Sequence, residues 1–155
     1  MKTQIDPEIA PLTPMEAGEV SEMLRASRPE YAAHFNPFDF DETSVRAQLE
    51  RARKDRFWGM RSGGKLAGFF MLRGFDQGYE RPAFGVFIAE PFARRGLARR
   101  ALAEATQWCE ENGVKEIMLT VYGENTVAMR IYEEAGFVAA ERDATKIIMT
   151  KRLSG

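Results

Sequence analysis

Residues 84–89 read FGVFIA, six positions without a polar side chain. Alternate residues of a strand point to opposite faces, so a strand of this composition cannot leave either face in water. It must be central and covered on both sides, and the rest of the chain has to supply both covers. One cover follows directly. From Gly96 to Asn112, Ala98, Ala101, Leu102, Ala105, Trp108 and Cys109 recur at helical spacing, opposite Arg99, Arg100, Glu104, Gln107 and Glu111. Asn112-Gly113 closes this long amphipathic helix.

The remaining segments read as short elements joined by turns. Thr13-Pro14-Met15-Glu16 combines a threonine N-cap, proline at N1 and glutamate at N3, opening a helix to about Ala26. Asp41 caps a second helix with Val45, Leu49 and Ala52 inward, ending near Lys54. Ser62-Gly63-Gly64 joins Phe57–Arg61 to Lys65–Arg73 as a hairpin. Ile117–Val121 reads as a strand. Thr126–Ala135 reads as a helix with Ala128, Ile131, Tyr132 and Ala135 inward, stopped by Gly136, and Phe137–Ala140 pairs with Lys146–Lys151 in a last hairpin. No linker or repeat interrupts this order, so residues 1–155 are expected to form a single domain.

Between the buried strand and the long helix lies ARRGLARR, with four arginines around Gly96. On its own such an octamer suits a solvated helix face, a nucleic-acid patch or a phosphate cradle. The chain holds 22 Lys and Arg against 23 Asp and Glu, so it has no global field to hold nucleic acid or an anionic membrane. Any basic function is local. A helix start offers unpaired N–H groups and the positive end of the dipole, so an anion is favoured there before any side chain helps. A polyphosphate suits this turn best.

Strand, Pro91, basic turn and Arg95-Gly96-Leu97-Ala98 opening a helix resemble the coenzyme-A loop of the GNAT superfamily of N-acetyltransferases. That family's pattern is Gln/Arg-x-x-Gly-x-Gly/Ala. Gly96 and Ala98 match, while Ala93 stands where Gln or Arg is expected. Either backbone amides suffice there or Arg94 takes the role. NTVAMRIYEEAGF is similar to the family's second segment, with Asn125, Ala128, Tyr132, Glu133, Gly136 and Phe137 all matching. The resemblance implies an α/β (α+β) GNAT acyltransferase fold, a mixed central sheet splayed between the Phe84–Ala89 and Ile117–Val121 strands and flanked by about four helices.

It also implies a site. Acetyl-CoA would be co-substrate, with no metal. Backbone groups at Phe87 and Ile88 would bind the pantetheine amides, and Arg94, Arg95, Gly96, Leu97, Ala98 and Arg99 the pyrophosphate. Asn125 would contact pantetheine or fix the loop, although a plain N-cap accounts for it equally. Tyr132 would protonate the leaving thiolate, a role worth about 10² to 10⁴ in rate. Its place on an apolar helix face also suits packing alone.

An alkyl amine acceptor ordinarily carries its proton near neutrality and needs a base before it attacks. Asp39, Asp76, Glu80 and Glu90 stand near strand ends or loops, with Glu90 the least suited because it adjoins the pyrophosphate turn. The acceptor regions by resemblance are YAAHFNPFDF and GFDQGYERP, which put Phe38, Asp76, Tyr79 and Glu80 forward as substrate contacts. A core-pinned loop and a shaped turn are the alternatives. His34, the single histidine, reads as a loop residue rather than a base, and Cys109, the single cysteine, as packing. The function expected is acetyl transfer to a small polar amine such as an amino sugar, with a protein N-terminus or lysine second and an inactive acetyl-CoA-binding module third. No nucleic-acid or membrane partner is expected, a homodimer is compatible, and the opening residues, with no apolar leader-like run, suit the cytoplasm.

Overall fold

The computed structural model describes residues 3–153. FGVFI of this run lies within β4 (Ala83–Ile88), which pairs antiparallel with β3 (Lys65–Arg73) and parallel with β5 (Glu116–Tyr122). Both of its faces are covered. Phe84 packs with Leu97, Ala101 and Leu102 of α4 (Leu97–Glu111). Phe87 packs with Val20 and Leu24 of α1 (Ala17–Ala26) and Val45 of α3 (Glu42–Arg51).

The chain builds this sandwich with few irregularities. β2 (Arg56–Ser62) turns into β3 through Gly63 and Gly64, whose φ values of 58° and 80° are those a two-residue hairpin turn needs. Ala67 is an extra residue on β3, since Met60 pairs with Gly68 and Arg61 with Leu66. This bulge shifts the alternation: Ala67, Phe70 and Leu72 face the α4 layer, while Leu66, Phe69 and Met71 face α1 and α3. Glu16, ending a 3₁₀ turn at Pro14–Glu16, accepts the Thr13 N–H at 2.8 Å, and Asp41 accepts the Ser44 N–H at 3.0 Å, so both sequence-read caps form. Arg61 on β2 donates to Glu16 at 2.8 Å and Glu19 at 2.7 Å, fixing the start of α1 to the sheet.

Past β5 come α5 (Thr126–Glu134) and a hairpin of β6 (Val138–Arg142) and β7 (Lys146–Arg152), giving the strand order β1-β2-β3-β4-β5-β7-β6. β1 (Glu8–Pro11) is a strand that sequence periodicity does not show. It is four residues long, ends in proline and pairs only with β2, the edge position where proline is tolerated. A single turn, α2 (Pro29–Ala32), lies between α1 and α3 beside the four longer helices.

β4 and β5 part company. They share one register pair, Ala83 with Met118, supported by the Met118 N–H on the Pro82 carbonyl at 3.0 Å. Beyond it β5 pairs only with β7, along seven positions. The two parallel strands therefore diverge toward their C-terminal ends, and the gap opens between Ile88 and Tyr122.

Candidate active site

The turn from β4 to α4 stands at one side of this gap. A 3₁₀ turn at Glu90–Phe92 is followed by extended Ala93, then Arg94 at φ 62° and Gly96 at φ 84°. Arg94 is the only described non-glycine residue with positive φ. A non-glycine in this region stores strain, and such residues concentrate at functional sites. The first intrahelical bond runs from the Arg100 N–H to the Gly96 carbonyl at 3.1 Å, so the N–H groups of Leu97, Ala98 and Arg99 lack an intrahelical partner. With Arg94 beside them they form a concave set of donors suited to a phosphate.

The four arginines divide. Arg100 pairs with Asp6 at 2.5 Å and with Glu104 at 3.0 Å. Arg99 pairs with Glu134 of α5 at 2.5 Å. Arg95 Nε donates to the Thr3 carbonyl at 3.0 Å, and the Arg95 carbonyl accepts the Ile5 N–H at 3.0 Å. Arg94 has no side-chain partner among the described residues. The N-terminal arm thus lies along the turn and draws Arg95 and Arg100 toward itself, while Arg99 ties the start of α4 to the end of α5. Of the side chains read as pyrophosphate ligands, Arg94 is the one left to a ligand.

On the gap's other wall, Asn125 Oδ1 accepts the Ala128 N–H at 3.2 Å and caps α5. Tyr132 lies on the inner side of that helix with its ring 6.2 Å from Phe137. Burial pushes its phenol up to about 12, and its hydroxyl has no partner among the described residues. It is therefore protonated near neutrality and able to donate. Phe87 is buried against Tyr31 and Phe35, while the backbone of β4 beyond Ala83 has no strand partner on the β5 side. Alternate N–H and C=O groups near Phe87 and Ile88 thus face the gap.

The acceptor expectations change. Asp76 is occupied: its carboxylate accepts the N–H groups of Arg53, Lys54 and Asp55 at 3.0, 2.7 and 3.2 Å, and these bonds hold its pKa below the ordinary aspartate value. Tyr79 and Glu80 are exposed in the same loop, which leads into Ala83 at the joined end of the strands, away from the opening. Phe38 stacks on Phe69 with Arg73 over its ring, so it pins its loop to the core. Asp76 and Phe38 thus have structural work, and none of the four is placed at the gap. Glu90 accepts from the Arg28 guanidinium and N–H, bonds that lower its pKa. Asp39 is exposed without a partner among the described residues.

What crosses the mouth is a pair from YAAHFNPFDF to which the sequence reading gave no role at the site. Tyr31 and His34 lie one helical turn apart. Tyr31 donates its hydroxyl to the Ile88 carbonyl at 2.7 Å. The His34 ring stacks on Tyr122 at 4.0 Å and 14°, with Nε2 at 2.7 Å from Glu124 Oε1. The hints in the sequence were their place in YAAHFNPFDF and Glu124 adjoining Asn125. A cleft of about 320 Å³, lined by Glu22, Met23, Leu66, Ala89, Pro91 and Phe92, lies elsewhere, between α1 and the 3₁₀ turn, and contains none of these groups. Cys109 is buried and its thiol is pushed up to about 12 by that burial, so it packs rather than reacts. Among the described residues no cluster suited to a metal occurs, and no helix is long and apolar enough to cross a membrane.

Comparison with known proteins agrees with this geometry. The model of the acetyltransferase (GNAT) family matches residues 20–137. An uncharacterized N-acetyltransferase, YycN of Bacillus subtilis, is 33% identical over 70 residues, which are 45% of this chain and 40% of that protein. An aminoglycoside N(6')-acetyltransferase type 1 of Salmonella typhimurium is 29% identical over 58 residues, 37% of this chain and 40% of its own length. The matches thus span well under half of either relative. The crystal structure of a PaiA N-acetyltransferase from Thermoplasma acidophilum in complex with coenzyme A superposes with a TM-score of 0.80 at 18% identity, covering 96% of this chain and 100% of that one.

Proposed function

The chain belongs to the GNAT acetyltransferase family, and we propose that it transfers an acetyl group from acetyl-CoA to the primary amine of a small polar molecule by direct attack in a ternary complex. The observation that carries this reading is the parting of β4 from β5 beside the α4 start, where unpaired N–H groups and Arg94 converge. Residues suited to holding the coenzyme are the N–H groups of Leu97, Ala98 and Arg99, the Arg94 guanidinium, the β4 backbone at Phe87 and Ile88, and Asn125. When bound, acetyl-CoA supplies an acetyl carbon activated as a thioester.

The chain's part is to orient, shield and move protons. Two reactants held in one gap lose the entropic barrier of meeting. Tyr132, buried and protonated, is suited to give its proton to the departing sulfur. Tyr31 and His34, bridging the mouth, favour a compact acceptor over an extended protein segment. A match to an enzyme whose name specifies aminoglycosides supports the same class, with an amino sugar as the leading acceptor.

The test is calorimetric binding of acetyl-CoA together with thiol release over a panel of amines. Binding and turnover on a small polar amine is the expected result. Turnover on peptide termini or lysines alone would move the assignment to proteins, and binding without turnover on any amine would make the chain a coenzyme-binding module.

A further inference from the structure

We propose that His34, oriented by Glu124, is the base that removes the proton from the acceptor ammonium. This rests on the acetyltransferase reading above and supplies the base that reading lacks.

Three observations converge on it. The first is placement. His34 reaches Tyr122, the last residue of β5, while Tyr31 one turn earlier reaches Ile88, the last residue of β4. The imidazole is therefore held at the open end of the parted strands, against Glu124, the residue before the Asn125 cap. The second is orientation. Glu124 Oε1 lies 2.7 Å from Nε2, and a carboxylate only accepts, so Nε2 carries the hydrogen and Nδ1 presents its lone pair. Nδ1 has no partner among the described residues. A carboxylate on one ring nitrogen and a bare lone pair on the other is the arrangement that makes an imidazole a proton acceptor and stabilises the imidazolium formed. The third is access. The His34 side chain is 37% exposed, so a diffusing amine can reach it. Of the carboxylates read from sequence as candidate bases, Glu90 is engaged by Arg28 and Asp76 by the 53–55 backbone, away from the gap.

The groups facing the imidazole are Tyr122 beneath it and Glu124 at Nε2. Lys146 of β7 has Nζ 5.6 Å from the Tyr122 ring centroid. Along its own segment are Tyr31 and the Arg28–Glu90 pair. The proton balance is simple. Nδ1 takes one proton from the ammonium, and the freed nitrogen lone pair forms the C–N bond to the acetyl carbon. The C–S bond breaks, the sulfur takes a proton from the Tyr132 hydroxyl, the second proton shed by the nitrogen restores that hydroxyl by way of water, and the His34 imidazolium gives its proton to solvent.

The experiment compares His34→Gln and Glu124→Gln with the parent chain on the best amine of the panel. His34→Gln is expected to lower kcat/KM about 100-fold or more at pH 7, with acetyl-CoA affinity unchanged. The deficit should shrink as pH rises toward the amine's own pKa, where the acceptor deprotonates without help. Glu124→Gln should show a smaller loss of the same form. Because the chain has one histidine, its imidazole proton resonances are unambiguous, and adding the amine without coenzyme should move them. A constant deficit at every pH, or resonances indifferent to the amine, would overturn the base assignment while leaving acetyl transfer intact. Absence of acetyl-CoA binding in the parent chain would instead overturn the underlying reading.

Discussion

Replacing Gly96 by alanine probes whether the α4 start depends on backbone conformation. Gly96 holds φ 84° at the N-cap, a left-handed conformation that costs a residue bearing a Cβ about 1–2 kcal/mol. A Cβ built there falls 1.8 Å from Gln4 Oε1 and 2.9 Å from its carboxamide carbon. The atoms in the way are the far end of a flexible side chain, so Gln4 can swing aside and the collision adds little. The expected loss is therefore about 1–2 kcal/mol, or roughly 2–8 °C in Tm for a chain of this size. Any shift of Gly96 also tilts the N–H groups of Leu97, Ala98 and Arg99, and coenzyme A affinity should fall about tenfold. Thermal unfolding and calorimetry read the two effects separately. A Gln4→Ala background separates the two causes. If φ dominates, Gly96→Ala costs the same there within about 0.5 kcal/mol. If the substitution becomes harmless once Gln4 is truncated, collision and not backbone strain was the cause, and the argument fails.

Tyr132→Phe should lower kcat by about 10² to 10⁴ while coenzyme affinity stays within about twofold; unchanged turnover returns Tyr132 to packing. Its raised pKa also fixes a sign: the folded state keeps the phenol protonated more tightly than the unfolded state, so the associated stability is full below about pH 10 and is lost as pH climbs toward about 12. Tm measured across that range should fall less steeply for Tyr132→Phe. Arg94→Ala should weaken coenzyme binding about tenfold with a shallower salt dependence, whereas Arg100→Ala, already engaged by Asp6 and Glu104, should change it less than about twofold by calorimetry. Burial opposes ionisation of Glu16, but Arg61 overcomes it, and Arg61 lowers Glu19 directly. Both carboxyls thus add stability above the ordinary glutamate pKa that is lost as pH falls. Arg61→Ala should lower Tm at pH 7 by roughly 2–4 °C, as about 1 kcal/mol implies, and flatten the decline in acid.

The layers were legible because their signals are local and repetitive. Phe84–Ala89 demanded two covers, Thr13 and Asp41 carried caps, and Gly63-Gly64 allowed one kind of turn. β1 was not legible, because an edge strand of four residues with proline needs a partner rather than a pattern. The acceptor side was less legible for a similar reason. Aromatic residues in YAAHFNPFDF look alike in sequence, yet Phe38 goes to the core while Tyr31 and His34 reach across to β4 and β5. Which of them faces the gap depends on where strands distant in sequence end. Asp76 misled because a loop carboxylate that binds backbone N–H groups is indistinguishable by type from one that binds a ligand.

The arginine octamer shows how partners decide the meaning of charge. Four guanidiniums in eight residues would give a strong local field if all were free. Asp6, Glu104 and Glu134 compensate two of them, and the Thr3 carbonyl fixes a third in place. The field that remains comes from Arg94 and the α4 amides, a donor set the size of one or two phosphates. A nucleic-acid backbone needs charge repeated along its length, and here it is concentrated at one point beside the gap. The same pairing explains why Ala93 can stand where a long polar side chain is expected. Arg94, turned by its positive φ, is left available for that contact, and the neighbouring arginines brace the turn against the N-terminal arm and α5.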